Sequence, residues 1–127
     1  EVMQSASATQ LTPAEKSAYS APFPDQSYMA GARKFPSLVP VFNDEPEVEE
    51  NKAAWKVLHQ FDKPFMTAFS DHDPVTAGGE VRFQQEVPGA KDIAHRTIVN
   101  AGHFVQQEQP QLCVQAILDI TGRHTSS

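Results

Sequence analysis

The side chains best suited to chemistry are an aspartate and a histidine thirty positions apart, Asp73 and His103. A histidine base needs a carboxylate to fix its tautomer and to stabilise its cation, so these two residue types answer one chemical need if the fold brings them together. Taken singly each has an ordinary reading. Asp73 stands before Pro74, and Asp-Pro is a common way to leave a strand. Asp71, His72 and Asp73 together suggest a metal, but consecutive loop residues rarely converge on one ion, and no further ligands follow at recognisable spacing. The expectation is therefore no metal and no cofactor. The 127 residues contain no G-x-S-x-G, no equivalent elbow on Asp or Cys, and no glycine-rich phosphate loop. A base and its orienting acid are present without a nucleophile.

Two apolar runs must position the pair. Pro64-Phe65-Met66-Thr67-Ala68-Phe69-Ser70 has the length and aromatic content of a buried strand and breaks into Asp71-His72-Asp73-Pro74. Thr97-Ile98-Val99 breaks in the same way into Asn100-Ala101-Gly102-His103. Between them Gly79 to Glu86 carries Val81 among helix formers, and Pro88-Gly89 makes a turn. The order strand, helix, strand predicts parallel neighbours. Their C-terminal loops then lie side by side, where open α/β sheets carry their reactive sites.

The flanking segments read as helices. Thr12-Pro13-Ala14-Glu15 is a capping box with proline at the first helical position, which predicts a helix to about Ser20. Pro22 and Pro24 interrupt it, Asp25 caps a second helix from Gln26 to Lys34, and Phe35-Pro36 ends that. Pro40 to Asn43 continues as an irregular connection. Asp44, Glu45, Glu47, Glu49 and Glu50 precede Val48, Ala54, Trp55, Leu58 and Phe61 at helical spacing, a solvated helix start rather than an acidic binding motif. Trp55 is expected in packing. Glu108 to Thr121 forms the last helix, with Leu112, Cys113, Ala116, Ile117 and Ile120 on one face, and Gly122 stops it. His59 and His124 at helix ends, and His95 before a strand, suit ordinary surface roles. Glu1 to Gln10, small and polar without an initiator methionine, reads as the trimmed end of something longer.

Composition narrows the partners. A net charge of -6, with no basic cluster longer than Arg33-Lys34, argues against nucleic acid and against an anionic membrane. No apolar run approaches the roughly 20 residues that span a bilayer, and no basic start precedes an apolar signal region. A cytoplasmic location is the default expectation. The single cysteine, Cys113, sits among Leu112, Val114 and Ile117 as a buried structural thiol.

Three segments carry a family resemblance. Ser17-Ala18-Tyr19-Ser20-Ala21-Pro22-Phe23-Pro24-Asp25-Gln26-Ser27-Tyr28, continuing to Pro36, resembles the end of the cap domain of haloalkane dehalogenases. Phe69-Ser70-Asp71-His72-Asp73-Pro74-Val75-Thr76 and Asn100-Ala101-Gly102-His103-Phe104-Val105-Gln106-Gln107-Glu108 resemble that family's charge-relay acid and catalytic histidine segments. The similarity runs from about Leu11 to Ile120.

The resemblance implies an α/β fold, here the C-terminal part of an α/β-hydrolase: a parallel strand-helix-strand with flanking helices over 44–127, preceded by helical cap residues over 1–43. It implies Asp73 as orienting acid, His103 as base, and Phe23, Pro24 and Val75 as pocket residues for a small haloalkane. In the family an aspartate displaces halide to leave an alkyl-enzyme ester, and histidine-activated water then releases the alcohol. That aspartate, its neighbouring tryptophan and the oxyanion-hole segment have no counterpart here, and Trp55 does not match a halide-binding tryptophan. The partners expected are therefore haloalkane, halide, and either an N-terminal part of the same fold or a second copy of this chain. Two rivals stand beside this reading. An epoxide hydrolase fragment would use cap tyrosines such as Tyr19 and Tyr28 as proton donors, although the Pro22 to Pro24 corner favours a dehalogenase. A truncated, non-catalytic remnant would need no nucleophile.

Overall fold

The computed structural model describes residues 2–39 and 47–122. The chain is mixed helix and strand and divides into two compact units, Thr12–Leu58 and the remainder. Each is described by itself.

The remainder is built on a two-stranded parallel sheet, β1 (Ala68–Ser70) and β2 (Arg96–Ile98), with Ala68 opposite Arg96 and Ser70 opposite Ile98. The helix α1, Gly79–Glu86, crosses between them. Only the end of the apolar run from Pro64 is strand, because its earlier donors go elsewhere. Proline has no N–H, the Phe65 N–H bonds the Gly89 carbonyl at 2.9 Å, and the Thr67 N–H reaches His95 Nδ1 at 3.1 Å. The second strand begins one residue earlier than its apolar run. The Arg96 N–H donates to the Thr67 carbonyl, and beyond Ile98 the chain turns at Asn100, φ 57°.

Val87, Ala90, Ile98, Ala101, Ala116 and Leu11 form the buried apolar set. Below β1, Phe65 stacks on Phe83 at 5.8 Å between centroids and meets Phe61 edge-on at 6.1 Å. Such aromatic pairs contribute about 1 kcal/mol each beyond the area they bury. Gly89 is threaded against this cluster. Its N–H bonds the Phe61 carbonyl at 2.8 Å, and a Cβ there would overlap the Lys63 carbonyl. Alanine must displace backbone on both sides, so Gly89→Ala is expected to cost about 3 kcal/mol. Urea unfolding followed by far-UV circular dichroism checks this, and an unchanged midpoint at unchanged slope counts against it.

The last helix is interrupted. A single turn, α2 (Val105–Glu108), precedes α3 (Pro110–Thr121). Pro110 removes a donor and drives Gln109 to φ -135°, ψ 56°, so one continuous helix from Glu108 is not possible. Gly122 ends α3 in the left-handed region at φ 65°. Cys113 is half-buried, with a free thiol. Near the start of the chain Val2–Ser5 forms a single helical turn where the sequence suggested none, and Ser7 Oγ closes back on the Met3 carbonyl at 2.7 Å.

In the smaller unit, α4 (Pro13–Ser20) starts from a complete capping box: Thr12 Oγ1 accepts the Glu15 N–H at 3.2 Å, and Glu15 Oε2 accepts the Thr12 N–H at 2.7 Å. Asp25 Oδ1 accepts the Ser27 N–H at 2.8 Å, but it starts a tight 3₁₀ turn, Gln26–Met29, before a short α-helix, Ala30–Lys34. The single helix expected there is split because Met29, at φ -92° and ψ 3°, leaves α geometry. A second 3₁₀ turn, Phe35–Leu38, contains Pro36. Glu47–Leu58 is a helix with Glu47, Glu49 and Glu50 in its first turn and Trp55 half-buried. The connection Pro40 to Asn43, and Asp44 and Glu45, lie outside the described residues. Among the described residues no helix is long and apolar enough to cross a membrane.

Candidate active site

The carboxylate comes from the turn after β1. Asp73 retains 8 % of its surface. Its own turn supplies donors: the Val75 N–H to Oδ1 at 2.8 Å and the Thr76 hydroxyl to Oδ2. An aspartate bonding the amide two residues on is a local turn device, and Pro74 between them keeps the backbone extended on the Asp73 side. Burial pushes the Asp73 pKa up, but the Thr76 hydroxyl, the Val75 amide and His103 outweigh it and hold it at about 2. The group is an anion at any working pH.

The histidine comes from the turn after β2. His103 Nδ1 lies 3.1 Å from both oxygens of Asp73. An acceptor-only carboxylate assigns the proton to Nδ1, which leaves the lone pair on Nε2. Among the described residues Nε2 has no hydrogen-bond partner, and the side chain is 36 % exposed. Phe104 packs against the imidazole edge-on at 5.3 Å. An imidazole held at one nitrogen and open at the other can take a proton from water or substrate.

The backbone before His103 is fastened donor by donor. Asp71 accepts the N–H groups of Asn100 at 3.0 Å and Ala101 at 3.2 Å, and His72 Nδ1 at 2.7 Å. The His72 hydrogen bond, opposed by burial and joined by the two amides, holds the Asp71 pKa at about 2. Ser70 Oγ donates to the Gly102 carbonyl at 2.7 Å, and the His72 N–H to the Ala101 carbonyl at 3.0 Å. The Gly102 N–H goes to Glu108 Oε2 at 2.7 Å and the His103 N–H to the Ala6 carbonyl at 2.7 Å. Asn100 takes the left-handed conformation that Asn tolerates better than most residues. The sequence points to Asp71 only as a weak metal-ligand candidate, and to Thr76 and Glu108 not at all as site residues. Only Thr76 has a local signal, a hydroxyl three positions after a turn aspartate.

The other expected site residues are more scattered. Val75 touches the site through its amide, while its side chain is 65 % exposed. Phe23 and Pro24 stand in the turn after α4, both exposed, as are Tyr19 and Tyr28. Among the described residues no group of three His, Cys, Asp or Glu side chains could hold a metal. A cavity of about 390 Å³ is lined by Asp71, Glu80, Gln84, His95 and Arg96, among others, but not by Asp73 or His103.

Comparison with known proteins places similar sequences beside this arrangement. A protein named haloalkane dehalogenase from Psychrobacter cryohalolentis is 51% identical over 92% of this chain and 40% of its own length. One of that name from Mycobacterium marinum is 43% identical over 84% of the chain and 36% of its own. Haloalkane dehalogenase 1 of Mycobacterium bovis is 43% identical over 73% and 31%. The chain thus spans well under half the length of these relatives. No protein-family model matches it.

Proposed function

The chain is a homologue of the haloalkane dehalogenases, α/β-hydrolases by fold, and from that premise we propose that it supplies the hydrolytic half of a carbon–halogen-cleaving site. What supports this is the buried Asp73 holding His103 by Nδ1 while Nε2 stays open. Nε2 takes a proton from water as the water oxygen bonds to the carbonyl carbon of an alkyl-aspartyl ester. Collapse breaks the bond from that carbon to the alcohol oxygen, which takes the proton back from Nε2 and leaves as alcohol. Asp73 stabilises the imidazolium formed in between. The ester-forming aspartate and the halide donors belong to a further part of the same fold, which completes the sheet along the outer edge of β1. Residues 1–43 serve as the end of a cap and 44–127 as the end of the core, with Phe23, Pro24 and Val75 facing substrate.

Among the described residues the two strands pair only with each other, and parallel sheets are stable only when covered and paired. The chain purified by itself is therefore expected to release no bromide from a bromoalkane and to self-associate. With the part bearing the nucleophile joined to it, bromide release is expected above the buffer blank. Release by the chain alone that is lost in His103→Ala refutes the division of labour. A joined enzyme that is folded and yet silent on haloalkanes refutes the function.

A further inference from the structure

The contact between His103 and Asp73 leaves one degree of freedom unrestrained. Nδ1 is equidistant from the two carboxylate oxygens at 3.1 Å, so rocking the ring between them costs little, and the direction of Nε2 must be set by the backbone that carries the ring. That backbone is held from outside by Glu108. Oε2 accepts the N–H of Gly102, the residue before the histidine, at 2.7 Å. Oε1 accepts both the N–H of Thr9 at 2.6 Å and its hydroxyl at 2.7 Å. The segment Ala6 to Thr9 closes over Gly102. A Cβ on Gly102 would lie 3.0 Å from Ser7 Cα and closer still to the Ala8 amide and the Ala6 carbonyl, and that same carbonyl takes the His103 N–H at 2.7 Å.

We propose that Glu108 is a positioning residue for His103: its two oxygens clamp the amide before the histidine and the strap Ala6 to Thr9 into one piece, and this piece aims Nε2. The carboxylate is required by the donor count. The Gly102 N–H and both the N–H and the hydroxyl of Thr9 converge on two oxygens, and a glutamine must turn its NH₂ towards either the Gly102 or the Thr9 amide, donor against donor. The hydrogen bonds from Gly102 and Thr9 prevail over burial and keep Glu108 below the usual carboxylate range, consistent with an anion filling this role.

The proposal rests on the hydrolytic reading above only for its kinetic readout. The test compares Glu108→Gln with the parent in the folded assembly, with the nucleophile-bearing part joined where activity is read. Proton NMR well below the unfolding transition is expected to show the far-downfield Nδ1–H resonance of His103 broadened or lost, and kcat to fall roughly 10–100-fold with KM nearly unchanged, as for a misplaced catalytic group. A lowered Tm with that resonance and kcat both unchanged overturns the proposal. If Glu108→Gln does not fold, Thr9→Val removes a single donor from the same clamp. It is expected to broaden the resonance to a lesser degree, and an unaltered resonance there also overturns the proposal. The resonance needs no haloalkane turnover. A changed resonance in an assembly inert to haloalkanes therefore contradicts the dehalogenase reading and leaves the clamp standing.

Discussion

Replacing His103 by glutamine in the joined enzyme is expected to abolish multiple turnover while leaving the first displacement intact. Glutamine fills a similar volume and can bond Asp73, but it has no basic nitrogen to take a proton from water. On the proposed mechanism His103 acts only after the ester has formed, so the variant is expected to accumulate that ester. Mass spectrometry after treatment with a bromoalkane should find one added alkyl group per chain bearing the nucleophile. Bromide should appear as a single stoichiometric burst. The loss in steady-state rate is expected at about 10⁶-fold, the scale set by removing the histidine of a serine hydrolase triad. Full turnover in His103→Gln removes the residue from the mechanism.

Asp73→Asn should cost less, about 10⁴-fold in kcat, by the same analogy. The asparagine preserves the volume in a position 8 % exposed. It offers one oxygen where the aspartate offered two, and those two serve Val75, Thr76 and His103. The imidazolium formed during water attack then lacks its counter-charge, and an amide N–H facing Nδ1 favours the wrong tautomer. A variant within tenfold of the parent shows that Asp73 is not the orienting acid.

The acid limb of stability follows from the same group. A folded pKa of about 2 lies below the ordinary aspartate value of 3.8, so the unfolded chain binds the proton more readily. Stability from Asp73 is fully present above the unfolded value and is lost as pH falls through about 2. Asp73→Asn should accordingly lack this part of the acid dependence.

What the sequence disclosed about this site was local or periodic. The Thr12 to Glu15 capping box, the stop at Gly122 and the α1 crossover each depend on residues within one or two turns of one another, and each is found in the fold. Asp73 and His103 were legible because each ends an apolar run, and parallel pairing carries both ends to one side. The clamp was not legible. Glu108 and Thr9 are 99 positions apart, and nothing in a glutamate followed by Gln-Pro distinguishes a carboxylate that turns inward from one in solvent. Gly89 resembled an ordinary Pro-Gly turn, whereas its lack of a side chain serves a close approach to Lys63. Val2–Ser5 carries no sequence signal because a single turn has no periodicity.

The separation between Thr9 and Glu108 also orders events in time. Closing a loop costs entropy that grows as the logarithm of its length. Joining residues 99 apart, as Thr9 and Glu108 are, is therefore dearer by about 1 kcal/mol than joining the 30 between Asp73 and His103. The shorter closure comes first and shortens the path left for the longer one. The strap is consequently expected to arrive late during folding and to leave early during local opening, since it holds by a few hydrogen bonds at partly exposed positions. The histidine loop thus loses its outer fastening while the inner one, on Asp71 and Asp73, still holds.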